Sequence, residues 1–145
     1  MSGQIHGRKA ILDYTTAGKA TITLLTPGLG RFTYRIRRIE EGRDFWFVDV
    51  LTGSDNNEDY TFLGSLDRYR PLPDPTFKVS PKSKIGERSP SAGAFAWFWA
   101  HLEADALGGA EVYHEGRCGR CGRKLTVPES IDTGLGPECA AKLAA

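Results

Sequence analysis

The sequence has little that would place it among enzymes, membrane proteins or secreted disulfide proteins. It carries three cysteines, three histidines and one methionine in 145 residues. The odd cysteine count, with no secretory signal at the start, argues against a disulfide framework. No apolar run approaches the roughly 18 residues that a membrane span needs. The longest uncharged apolar cluster, Ala92 to Leu102, is too short. An excess of one charge is missing as well: Lys+Arg is 19 against Asp+Glu 18, so no global field draws the chain toward nucleic acid or membrane. Catalytic signatures are lacking. There is no Walker loop and no G-x-S-x-G, and His114-Glu115 has no second histidine to complete H-E-x-x-H. The H-x-E and P-C-x-x-C pair of the zinc deaminases is absent too. Gly28-Leu29-Gly30 reads as a hairpin turn, since no helix follows it. The expectation is a non-catalytic cytoplasmic protein.

What the chain does have is concentrated between His114 and Ala140. All three cysteines lie there, in the pattern H-x3-C-x2-C-x17-C formed by His114, Cys118, Cys121 and Cys139. Cys118 and Cys121 are each followed by glycine, which lets backbone N–H groups turn toward the sulfurs, and a C-x2-C spacing lets both thiolates reach one ion at about 2.3 Å. Cys139 follows Gly136-Pro137-Glu138 and opens a short helical run, Ala140 to Leu143. The positive end of a helix dipole favours a thiolate there. A redox pair would want its C-x-x-C at a helix start behind a core strand, and the flanking Gly116-Arg117 and Gly122-Arg123 make a poor helix. The expectation is one Zn2+ held by His114, Cys118, Cys121 and Cys139, with Asp132, Glu138 and His101 as other candidates for the fourth position. Such an ion supplies the folding energy that a module with few apolar residues lacks.

The run CGRCGRKLTVPESIDTGLGPEC also resembles a small zinc-binding module of unknown function that recurs in bacteriophage and some bacterial proteins. The resemblance rests on Cys118, Cys121, Gly122, Arg123, Leu125, Ser130, Gly134, Gly136, Pro137 and Cys139. It covers about residues 114–143 and implies zinc binding and a phage origin, with no reaction attached.

Ahead of that module the chain predicts α+β architecture. Residues 1–18 read as an N-terminal arm, with Ala10 to Asp13 open to either helix or strand. Residues 19–70 carry four short strands separated by turn formers: Ala20 to Leu25, Arg31 to Ile39, Asp44 to Leu51 and Tyr60 to Gly64. This is the pattern of an antiparallel meander or partly open barrel. The turns are read at Pro27 to Gly30, Glu40 to Arg43 and Thr52 to Asn57. Residues 71–90, rich in Pro and Lys, read as a linker loop: Pro71 to Pro75 stiff and extended, Lys78 to Pro90 solvated. Ser89-Pro90 then caps a helix over Ser91 to Ala106. Its Phe95, Phe98, Trp99 and Leu102 form a stripe that packs on the sheet, a single antiparallel sheet needing such a cover. Residues 111–145 form the zinc-ribbon or treble-clef-like module.

Three basic clusters invite function: Arg35, Arg37 and Arg38 on the second strand, with Tyr34 and the run Phe45 to Phe47, Trp46 included, nearby; Arg117, Arg120, Arg123 and Lys124 around the knuckle; and Lys78, Lys82, Lys84 and Arg88 in the loop. Basic side chains interleaved with aromatic rings on an open β-surface grip single-stranded nucleic acid, phosphates by charge and bases by stacking. The blander reading is a solvated face paired with Glu40, Glu41, Asp44 and Asp49, and Arg123 has a structural alternative, bridging the loop of Ser130 and Asp132. The expectation is an accessory protein, phage-encoded, that binds single-stranded nucleic acid through Arg35, Arg37, Arg38, Arg117, Arg120, Arg123, Lys124, Tyr34 and Trp46. The competing expectation is a small interaction protein that binds and inhibits or redirects a host protein.

Overall fold

A computed structural model describes residues 3–40, 43–54, 58–68, 75–104, 106–125 and 128–144. The turn residues Glu41, Gly42 and Asp55 to Asn57, and the stretch Pro71 to Asp74 expected to be stiff, lie outside these. Five strands follow one another as an antiparallel meander: β2 (Lys19–Thr26), β3 (Gly30–Arg38), β4 (Phe45–Leu51), β5 (Tyr60–Asp67) and β6 (Thr76–Val79). The chain then runs through α2 (Pro90–Glu103) and returns as β7 (Glu111–His114) on the far side of β2. Outside β7 lies β1 (Gln4–Ile5), followed by the helix α1 (Arg8–Thr15). The order β1-β7-β2-β3-β4-β5-β6 has two ends that do not pair with each other among the described residues, so the sheet is open and not a closed barrel. No helix among the described residues is long and apolar enough to cross a membrane.

Side chains alternate between the two faces of a strand, and β2 shows the alternation cleanly: Ala20, Ile22 and Leu24 are fully buried, while Thr21, Thr23 and Leu25 are half-buried. The inner face continues through Tyr34 and Ile36, then Trp46, Val48 and Val50, then Leu63 and Leu66. Onto it falls α2. Ser89 caps this helix by accepting from the Ala92 N–H at 3.4 Å, with Pro90 in the first turn. Phe95, Phe98, Trp99 and Leu102 are all buried, the stripe expected from their spacing. Phe95 sits at the middle, its ring 4.9 Å from Tyr34, 4.6 Å from Phe77 and 5.9 Å from Trp99. Each such ring buried contributes about 1.5–3 kcal/mol relative to exposure. The polar handles of this core are satisfied: Tyr34 donates to the Ser91 carbonyl at 2.6 Å, Trp46 to that of Thr16 at 3.1 Å and Trp99 to that of Pro75 at 2.9 Å.

The segments read as an arm and as a linker differ from expectation. The segment read as an arm contains β1 and α1, and α1 places Ile11, Tyr14 and Thr15 in the interior. It is only eight residues long and starts at Gly7 with no side-chain cap, so it lacks the local start signal of a helix. Inside the segment read as a linker, β6 places Phe77 against Phe95 while Thr76 and Lys78 point outward. Gly64 on β5 lets it approach closely: a Cβ there would lie 2.2 Å from the Lys78 carbonyl oxygen. The strand β7 lies within the sheet, so the cysteine module is continuous with the β-structure that precedes it.

Candidate metal centre and outer sheet face

Beyond β7 the chain folds back on itself through Cys118 to Leu125, with Arg117 and Lys124 paired as an isolated bridge. The turn is held by the Cys118 N–H on the Arg123 carbonyl, the Gly122 N–H on the Cys118 carbonyl, and the Leu125 N–H on the Gly116 carbonyl. Gly116 and Gly122 adopt φ of 88° and 81°, which only glycine takes without strain. Two short helices complete the module, α3 (Pro128–Thr133) and α4 (Pro137–Ala144), and Cys139 lies in the first turn of α4 as the sequence suggested. The three sulfurs of Cys118, Cys121 and Cys139 lie within 4.8 Å of one another and form no disulfide. A thiolate group of this kind can hold a metal ion.

Backbone geometry prepares the sulfurs for that role. Burial works against the Cys118 thiolate, but the N–H groups of Gly136, Cys121 and Arg120 outweigh it and bring the thiol down to about 7. Burial pushes the Cys139 thiol up, with the Arg120 guanidinium pulling the other way. Arg120 touches both: its N–H lies 3.4 Å from the Cys118 sulfur and its Nη1 3.7 Å from that of Cys139.

His114 is not among the groups at the cluster. Its Nδ1 accepts from the Gly116 N–H at 2.9 Å and its Nε2 bonds the Ile131 carbonyl. That arrangement is the neutral tautomer, with Nε2–H as donor and the one ring lone pair already used. The histidine expected as fourth ligand instead pins the end of β7 to α3. The other candidates are elsewhere too. His101 stacks on Trp97 at 3.9 Å, and Asp132 and Glu138 are exposed. We expect His114→Ala to leave the metal content unchanged while costing about 1–3 kcal/mol, the sum of two part-buried hydrogen bonds. Metal analysis beside a thermal melt checks both halves, and loss of the metal would restore His114 as a ligand.

A single tyrosine couples the module to the sheet. Tyr14 of α1 donates to the Thr21 carbonyl at 3.0 Å and accepts the Thr21 N–H at 3.2 Å. Its ring lies against Gly119 and Gly134, where an added Cβ would come within 2.7 Å and 2.4 Å of it. Burial raises the Tyr14 phenol well above its usual range. Beside it, the Lys19 N–H bonds the Gly119 carbonyl, and the Gly119 N–H bonds that of Gly134. The knuckle therefore sits at the start of β2.

Lys19 also opens a row on the outer face of the sheet. Cross-strand register aligns Lys19 with Arg37, Phe47, Ser65 and Lys78, and the next row runs Thr21, Arg35, Asp49 and Phe62. Asp49 is 3 % exposed; it accepts from Arg37 Nε at 2.9 Å and lies 3.6 Å from Arg35 Nε. Two guanidiniums thus share one carboxylate. Around them the rings of Phe45, Phe47 and Phe62 meet edge to face at 5.5 Å and 5.0 Å. Arg35 lies 4.2 Å above the Tyr60 ring and Arg43 5.1 Å from Phe45. None of Phe45, Phe47, Tyr60 and Phe62 belongs to either cluster of buried side chains, and each is half-buried.

The structure divides the basic and aromatic residues expected to act together. Arg35 and Arg37 share the outer face. Arg38 points the other way, over the Trp46 ring at 4.9 Å and 3.7 Å from Asp44. Tyr34 and Trp46, expected as stacking rings, are both fully buried in the core and offer no face to a base. The rings that do line the outer face are Phe45, Phe47, Tyr60 and Phe62. Their signal was present in the sequence: Asp49 opposite Arg35 puts every second residue of β4, hence Phe47 and Phe45, on the arginine side. At the knuckle Arg117, Arg123 and Lys124 are exposed, Arg117 bonding the Gly122 carbonyl at 3.3 Å. In the loop of the third cluster, Lys82, Lys84 and Arg88 are exposed.

Residues 108–144 match the model of a family of unknown function, DUF6011. The match begins just before β7, so it takes in the strand that enters the sheet as well as all three cysteines. No curated protein and no solved structure matches the chain.

Proposed function

We propose that this is a non-catalytic accessory protein that binds single-stranded nucleic acid on the outer face of its sheet, with Zn2+ in the Cys118, Cys121 and Cys139 cluster holding the knuckle beside that face. The observation that carries the reading is the ladder of Phe45, Phe47 and Phe62 beside Arg35 and Arg37 on a face outside the core. Half-exposed rings give bases a stacking surface at any sequence. The face is slightly basic although the whole chain is near neutral: Lys19, Arg31, Arg35, Arg37 and Lys78 alternate onto it against Asp49, Asp67 and Glu111, with Glu115 near Tyr60. The basic knuckle is joined to the start of this face by the backbone bond between Lys19 and Gly119. Thiolate-rich sites suit zinc among the divalent ions. The resemblance of the last thirty or so residues to phage modules suggests a phage-encoded protein at work in a host cytoplasm.

The deciding experiment is fluorescence anisotropy with a mixed-sequence single-stranded oligonucleotide. With about three phosphate contacts at a slope of about −0.7 each, raising salt from about 50 to about 200 mM should weaken binding roughly ten- to twenty-fold. Absence of binding at the lower salt would overturn the proposal, and the rival, an interaction protein acting on a host protein, would take its place.

A further inference from the structure

A tetrahedral structural zinc site is closed by four protein ligands, whereas a site with three keeps its fourth position for solvent or another molecule. Among the described residues no histidine, aspartate or glutamate brings a ligand atom to the cysteine group. The nearest imidazole in sequence, His114, has both ring nitrogens committed to the backbone of Gly116 and Ile131. The cluster is also lopsided. Cys118 and Cys139 are buried at 0 % and 6 % exposure, while Cys121 is exposed. One flank is therefore packed by Ala17, Leu125 and Leu135, and the other faces water.

We propose that the metal centre is a three-thiolate site whose fourth position, on the Cys121 flank, is exchangeable: held by solvent at rest and open to a neutral nitrogen donor. This rests on the metal reading above and goes beyond it. Three thiolates on a divalent ion leave one net negative charge, so a further anion is disfavoured and a neutral donor preferred. Arg120, in contact with the sulfurs of Cys118 and Cys139, spreads that charge and keeps the trio compact while the fourth ligand changes. Thiolate-rich coordination also biases the ion toward softer partners. The class of ligand is thus an imidazole or a like neutral nitrogen donor, and phosphate is not a ligand.

The test uses the full chain loaded with Co2+ in place of its native ion. Thiolate-to-cobalt charge transfer in the near ultraviolet reports loading, and the visible d–d bands report the fourth donor. Titration with imidazole should change the d–d bands saturably while the charge-transfer intensity holds. His114→Ala should give the same titration. No charge-transfer band on loading would refute the metal reading itself. A normal band with d–d transitions unmoved by excess imidazole would show four protein donors, overturning this proposal while leaving the metal in place. Sensitivity that appears only in His114→Ala would overturn it too, since His114 would then be the fourth ligand.

Discussion

Stripping the metal with a chelator is expected to lower the thermal midpoint by more than about 10 °C, and Cys118→Ser to do the same. The module around the cysteines has a small interior: Ala17, Cys118, Leu125, Leu135 and Cys139, with Ile131 and Ala140 against them. At about 25 cal/mol per Å² of apolar surface, so few side chains do not offset the chain entropy of ordering some thirty residues. On the proposed metal reading a bound ion closes the difference, since structural zinc contributes about 10–16 kcal/mol of apparent binding energy at neutral pH. The effect should not stop at the module. Without it Tyr14 loses the surfaces of Gly119 and Gly134, and β2 loses the bond from Lys19 to Gly119. His114, which ties β7 to Ile131, loses its partner as well. A loss of about 3 kcal/mol or more follows, and at a few degrees per kcal/mol this gives the stated shift. Hydrogen exchange should show protection lost first along β1 and β7, and last in β3 to β5. A midpoint that moves by less than about 2 °C on complete removal of metal would show that the module folds on its own packing.

How much of this was legible in the sequence varied from one end of the chain to the other. The strands of residues 19–70 could be read because β-branched and aromatic residues alternate between turns, and α2 because Ser89-Pro90 announces it and its stripe has helical spacing. The short elements could not. Residues Arg8–Thr15 bury only Ile11, Tyr14 and Thr15, with Ala10 and Leu12 partly buried beside them, after an uncapped Gly7, and what makes them a helix is the tertiary slot beside Thr21 and Gly119. Phe77 and Val79 on β6 are hidden by a composition that reads as solvated loop, and only the Gly64 notch shows why a strand fits there.

The candidate site divides in the same way. The Cys118 and Cys121 pair follows from spacing alone, since C-x2-C brings two sulfurs together wherever the turn lies, and Cys139 joins them from the helix start that Gly136-Pro137 announces. The role of His114 does not, because proximity in sequence says nothing about which lone pair the backbone has already used. On the sheet, the run FWFVDVL is apolar in both parities, so Trp46 and Phe47 are equally good inward candidates until the partner strand is considered. Register decides: Asp49 must meet Arg35 and Arg37, which turns Trp46 into the core and Phe47 out.

That parity makes the sharpest prediction about binding. Phe47→Ala and Phe62→Ala should each weaken single-stranded oligonucleotide binding by about 1–3 kcal/mol, five- to 150-fold, as for loss of one stacked base. Together they should bring affinity near the limit of detection. The fold should survive, because both rings lie outside the buried clusters and give up their edge-to-face contacts, worth about 0.5–1.5 kcal/mol each, and for Phe47 the Arg37 guanidinium 5.7 Å from its ring. The salt slope should be unchanged in these variants, since no phosphate partner is lost, while Arg37→Ala should reduce it by about one contact. Tyr34→Phe provides the contrast. It removes the hydrogen bond to the Ser91 carbonyl and should cost about 1 kcal/mol of stability with affinity intact. Should Phe47→Ala and Phe62→Ala bind as well as the wild type at matched stability, the outer face is not where nucleic acid sits. Should Tyr34→Phe lose as much affinity as they do, the loss reflects the fold and not a contact. Only a loss confined to the outer rings, with the slope moved by Arg37 alone, separates stacking from charge on this surface.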